Sequence, residues 1–220
     1  MGKNRLILLF LIALFGSCVS RNRPFEQAIH EYSIQLDSSY SIPNLCDHFP
    51  EYIENGPNVV LQITWPSDAA KSEIYLSNKC TNSQANDILS KNRIVQKYRF
   101  SDSTNFFMTL SWMWDSTIFA KHVCFPNDKA KLPIPQFENI EFGTKTITYS
   151  EISDGEVYNV ETQLPPEDLE VYVIDAQHGD FWKTNNTQRP ALLMEWKNGY
   201  SRGFAFSKTS EIFIYWLIAW

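Results

Sequence analysis

Apolar positions along this chain change period several times, and each change marks an element. After Pro24, which suits the first turn of a helix, Phe25, Ala28, Ile29, Tyr32 and Leu36 follow at spacings of 3, 1, 3 and 4. That is one face of an amphipathic helix, and residues 37–40 break it. A short helical turn is expected over 44–49, stopped by Pro50. Residues 58–65, NVVLQITW, form a β-branched and aromatic run between Pro57 and Pro66, which reads as a strand. The stretch 67–92 is mostly polar and predicts one helix around 83–90. Strands are expected over 93–100 and, strongly apolar, over 105–114.

The second half reads as sheet. Residues 144–152 and 156–162 flank Asp154-Gly155, a dipeptide that favours the tight turn of a hairpin. A further strand is expected over 170–176. Residues 200–207 set Tyr200, Phe204 and Phe206 against smaller residues. After a turn at 208–210, EIFIYWLIAW runs apolar on both sides, the pattern of a strand covered on both faces. The sum is an α+β domain: N-terminal helices followed by a mainly antiparallel sheet, closed by a C-terminal β-hairpin whose last strand lies near the centre. Pro126, Pro133 and Pro135 make 126–139 an irregular connection and the candidate subdomain boundary.

The first 20 residues follow a different logic. Lys3 and Arg5 precede an unbroken apolar run over 6–15, then small Gly16 and Ser17. This is the build of a secretory signal peptide. The run is about half the roughly 20 residues needed to cross a bilayer as a helix. The segment Leu14-Phe15-Gly16-Ser17-Cys18 resembles the lipobox of bacterial lipoproteins, in which the cysteine becomes lipidated and N-terminal. The resemblance covers the first 18 residues and implies a signal peptide over 1–17, a lipidated tether over 18–23, and a single domain over 24–220. It implies a protein of the cell envelope, held to a membrane by lipid on Cys18 and facing the periplasm or the exterior.

Composition adds limits. At 44% hydrophobic and 15% aromatic the chain can bury a core and is not of disordered type. Lys3 and Arg5 leave with the leader, which takes the formal charge from −6 to −8. An acidic surface lacks the basic footprint of a nucleic-acid binder. Besides Cys18 there are Cys46, Cys80 and Cys124. Exported proteins live where disulfides persist, but three thiols leave the pairing open, and core thiols are the simpler expectation. Cys80, in the polar run SNKCTN, reads as accessible.

Chemistry-bearing motifs are sparse. Cys46 and His48 with His122 and Cys124 would make a tetrahedral zinc set, yet their spacing is not that of structural zinc sites, and no metal or other cofactor is expected. Asp175-Ala176-Gln177-His178-Gly179-Asp180 follows a predicted strand. There His178 could act as a general base oriented by Asp175 or Asp180, the basis for a small envelope hydrolase using residues 175–182. Seven tryptophans invite a carbohydrate platform made of Trp182, Trp196 and Tyr200. The carboxylates Glu151, Asp154, Glu156 and Glu161 lack the spacing of a calcium loop. With no nucleophile elbow or phosphate loop present, the leading expectation is a binding module, more a docking protein than an enzyme. Its partner would be an envelope protein, in an assembly, inhibitor or immunity role.

Overall fold

The structure is a computed structural model that describes residues 24–53, 59–66, 72–99, 132–135, 137, 140, 142, 146–153, 156–163, 165–183 and 198–220. The elements are α1 (Pro24–Ser39), β1 (Val60–Thr64), β2 (Ser72–Lys79), α2 (Asn82–Ser90), β3 (Gln96–Arg99), β4 (Thr146–Ser153), β5 (Glu156–Gln163), β6 (Glu170–His178), β7 (Gly199–Ser207) and β8 (Ile212–Ala219). Six strands form an antiparallel sheet in the order β1-β2-β8-β7-β6-β3, and β4 pairs with β5 in a separate ladder. The fold class is therefore α+β.

The central place of β8 follows from its composition. Every one of its residues is buried, because consecutive side chains enter opposite faces and both faces are covered. Phe213, Tyr215 and Leu217 face a core shared with Tyr32 and Leu36 of α1, Leu45 and Phe49 of the 44–49 turn, and Ala85 of α2. Ile214, Trp216 and Ile218 face a second core built with Ile134, Phe137, Ile140 and Phe142. The described part of the Pro-rich connection thus packs on the sheet, and Ser201 Oγ donates to the Pro133 carbonyl at 2.7 Å.

Helix α1 lies across the strand ends. Near its middle, Tyr32 Oη meets Ser72 Oγ at the start of β2, 2.6 Å away. Just past its end, Tyr40 Oη donates to the Gly199 carbonyl at the start of β7, at 2.7 Å. Eight residues of helix advance about 12 Å. Two inter-strand steps, β2 to β8 to β7, span about 10 Å. The two tyrosines are thus spaced to reach strands on either side of β8. The start of α1 falls toward the β1 edge.

One expectation about the elements is corrected. The polar stretch 67–92 contains a strand: β2 pairs with β8 along its whole length. Its apolar part is only Ile74-Tyr75-Leu76, and its buried hydroxyl at Ser72 donates to the Thr64 carbonyl at 3.2 Å. Polar groups satisfied inside the fold concealed a core strand. The helix expected around 83–90 is α2, Asn82–Ser90. It starts on a capping box, with Thr81 and Gln84 exchanging side-chain to backbone hydrogen bonds. The strand expected over 105–114 and the Asp154-Gly155 turn lie outside the described residues.

Cys80 is also corrected. It is buried at 4% exposure, because it follows β2 and its N–H donates to the Glu211 carbonyl at 2.8 Å. Burial pushes its thiol up to about 11 and that of Cys46 up to about 12. Buried, protonated thiols react slowly. Iodoacetamide is therefore expected to spare Cys46 and Cys80 in the native protein and to label both in guanidinium. Peptide mass spectrometry would show this, and native labelling of either thiol would contradict its placement.

Candidate functional site

One register irregularity organises the polar residues of the sheet. In β6, Val173 pairs with Gly203, and the next partners are Asp175 and Arg202, so a bulge falls at residue 174. Before it, Val171 and Val173 face the second core while Tyr172 faces the α1 core. Strict alternation would put Asp175 with Val173. A bulge sets two residues against one and shifts the parity. Past it, Ala176 packs on the second core, and Asp175 opposes Arg202 on the α1 side.

There Asp175 joins a polar cluster. Tyr200 Oη donates to Asp175 Oδ2 at 2.7 Å, and Arg202 Nε lies 3.6 Å from the same oxygen. Arg202 Nη1 donates to the carbonyls of Asn44 at 3.2 Å and Leu45 at 3.0 Å. It also pairs with Asp47 Oδ1. One guanidinium thereby ties the 44–49 turn to β7, using the several N–H donors that only arginine offers in a fixed fork. Asn44 sits at φ 61°, a left-handed conformation that asparagine tolerates.

His48 belongs to the same turn. Its Nε2 lies 3.0 Å from the Trp216 carbonyl of β8. A carbonyl only accepts, so Nε2 carries the proton and Nδ1 does not. The ring stacks near Phe49 and Phe204, with centroids at 4.6 and 5.7 Å. The residue is half-buried, but Nδ1 is enclosed and has no hydrogen-bond partner. Burial, aided by the nearby Arg202 charge, lowers its pKa to about 3.

The chemistry open to these groups is limited. Burial and the Asp175 carboxylate raise the Tyr200 phenol above its ordinary range. Tyr200, Cys46 and His48 are all shifted away from proton exchange or nucleophilic attack near neutral pH. Their contacts instead join the turn, the helix end and the sheet.

The hydrolase loop is not assembled as expected. His178 and Asp180 are exposed, and His178 shares the face of Ala176, opposite Asp175. Strand β6 runs on through His178, and residues three apart on a strand lie on opposite faces. Tyr200, expected as a surface platform, is 1% exposed and belongs to the core. Trp182 is half-buried, edge-on to Tyr40 with centroids 5.0 Å apart. It bridges Tyr40, while Lys183 N donates to the Ser39 carbonyl at 2.9 Å. Its role here is to hold the end of α1. Trp196, Cys18, His122 and Cys124 lie outside the described residues. Among those described, no group of three or more His, Cys, Asp or Glu could hold a metal ion.

Arg202, Tyr40 and His48 were not singled out for these roles. Arg202 did carry a signal: a charge on the same strand parity as Tyr200, Phe204 and Phe206. A charged residue on a buried stripe requires partners, and they came from the turn. Comparisons with family models, with curated proteins and with solved structures find no match to this chain.

Proposed function

We propose that this chain is an exported lipoprotein, lipidated on Cys18, whose α+β domain docks a protein partner in the cell envelope. The observation that carries the reading is the leader: Lys3 and Arg5, the apolar run over 6–15, and Gly16-Ser17-Cys18. No helix among the described residues is long and apolar enough to cross a membrane, so attachment through an acyl chain fits the fold. The docking role is supported by how the described polar groups are used. Tyr200 bonds Asp175, and Arg202 Nη1 bonds Asp47 and the carbonyls of the 44–49 turn. The acidic mature chain, at −8, favours a partner with a basic face.

Cross-linking in the native host followed by mass spectrometry tests the proposal. The expected result is one dominant partner recovered at near-equal stoichiometry from the membrane fraction. Cys18→Ala should move the protein out of that fraction and remove its radioactive fatty-acid label. Retained label in Cys18→Ala would overturn the anchor. Recovery without any protein partner would overturn the docking role.

A further inference from the structure

The edge of the sheet at β1 carries exposed aromatic surface close to where the tether enters. Tyr52 is 53% exposed and Trp65 is 38% exposed. Both stand beside the first half of α1. Tyr52 neighbours Ile53, whose N–H donates to Glu26 Oε1 in the first turn at 3.0 Å. Trp65 follows β1 and lies 6.0 Å, ring to ring, from Tyr32. Helical side chains lean toward the N-terminus, so that contact covers the turn before Tyr32. Val95, also exposed, precedes β3 at the opposite edge and does not belong to this surface.

The chain before α1 is short. Six residue steps separate Cys18 from Pro24, and a fully extended chain of that length reaches about 20 Å. A lipid on Cys18 would therefore hold the first turn of α1 within that distance of the headgroups. Two of the intervening residues, Arg21 and Arg23, are cationic and suit an anionic leaflet. Trp and Tyr are the side chains that settle at the membrane–water interface, with an apolar body and a polar tip.

We infer that the anchored protein seats its β1 edge on the bilayer, with Tyr52 and Trp65 entering the interfacial layer beside the first half of α1. This rests on the lipid anchor at Cys18 proposed above. It fixes the orientation of the domain: the sheet stands on its β1 edge, and the β3 edge, with Val95, points away from the membrane.

The test uses the full lipidated protein in vesicles of phosphatidylethanolamine and phosphatidylglycerol whose acyl chains carry bromine near the headgroup. Mass spectrometry of the N-terminal peptide first establishes the acyl group on Cys18. Bromine should quench part of the tryptophan fluorescence, and Trp65→Phe should abolish most of that quenching while unfolding at an unchanged temperature. Hydrogen exchange on the unsubstituted protein gives a second reading. Amides of 51–53 and 59–65 should be slowed on vesicles relative to soluble Cys18→Ala protein. Acylated protein with equal quenching in both forms, or with unchanged exchange at these amides, overturns the seating and leaves the anchor standing. Absence of the acyl group overturns both.

Discussion

Gly203→Ala is expected to destabilise the protein by about 4 kcal/mol or more, lowering its thermal midpoint by on the order of 10 °C. A β-carbon at 203 would stand 2.0 Å from the Tyr172 carbonyl oxygen and 2.9 Å from Trp216 Cζ2. The first contact is to backbone in the paired strand β6. The second is to a side chain that is 0% exposed and wedged in the second core. Neither can withdraw without opening the β6–β7 ladder or displacing Trp216, and overpacked cores relax poorly. Gly199→Ala meets the Gln177 carbonyl oxygen at 2.5 Å. It should cost less, because that ladder ends nearby. Urea unfolding of the two variants checks both, and a Gly203→Ala protein as stable as the parent would contradict the register.

The second large effect is a loss of stability in mild acid. His48 has a pKa of about 3 in the folded protein and about 6.5 when unfolded. Between these values the unfolded chain binds more protons, so stability rises with pH. The contribution of His48 is complete above pH 6.5 and is lost as the pH falls toward 3. The slope reaches about 1.4 kcal/mol for each pH unit. A proton on Nδ1 would place a second cation beside Arg202, facing the Trp216 carbonyl and the rings of Phe49 and Phe204. Asp47 and Asp175 already face Arg202. Other groups act lower on the scale. Burial raises Asp168 and Glu170, but hydrogen bonds from Thr209 and Ser207, and from Lys97 and Tyr172, leave both below their ordinary values. Their loss falls at more acidic pH, below the interval from about 4.5 to 6.5 in which His48 acts. His48→Gln keeps an amide donor for the Trp216 carbonyl and should flatten the curve there. A flat curve in the parent protein would refute the low pKa.

What the sequence reveals depends on how each position is buried. The run EIFIYWLIAW announces a strand covered on both faces, because no polar residue interrupts it. The spacing from Phe25 to Leu36 announces the buried stripe of α1, and Tyr32 and Leu36 are both 0% exposed. Strand β2 is hidden because Ser72 and Ser77 are buried polar residues, and Ser72 is matched by partners distant in sequence. Asp175 and His178 looked like a pair because adjacent loop residues can converge. Strand β6 instead runs through both, and their spacing of three puts them on opposite faces; the bulge at 174 sets only which face Asp175 takes. Tyr200 was legible as part of a strand and misplaced as surface, since its face is covered by residues distant in sequence, Phe181 among them.

The strand order also bears on how the molecule is made. β8 is the last of the described strands in chain order, yet it stands between β2 and β7. Until it arrives, β2 has no neighbour but β1, and neither core has its central wall. The β2–β8 ladder joins residues as far apart as Ser72 and Ala219, and closing so long a loop is slow. A nascent chain therefore cannot complete this sheet while β8 is still being synthesised. It stays open until late, a state that chaperones can hold.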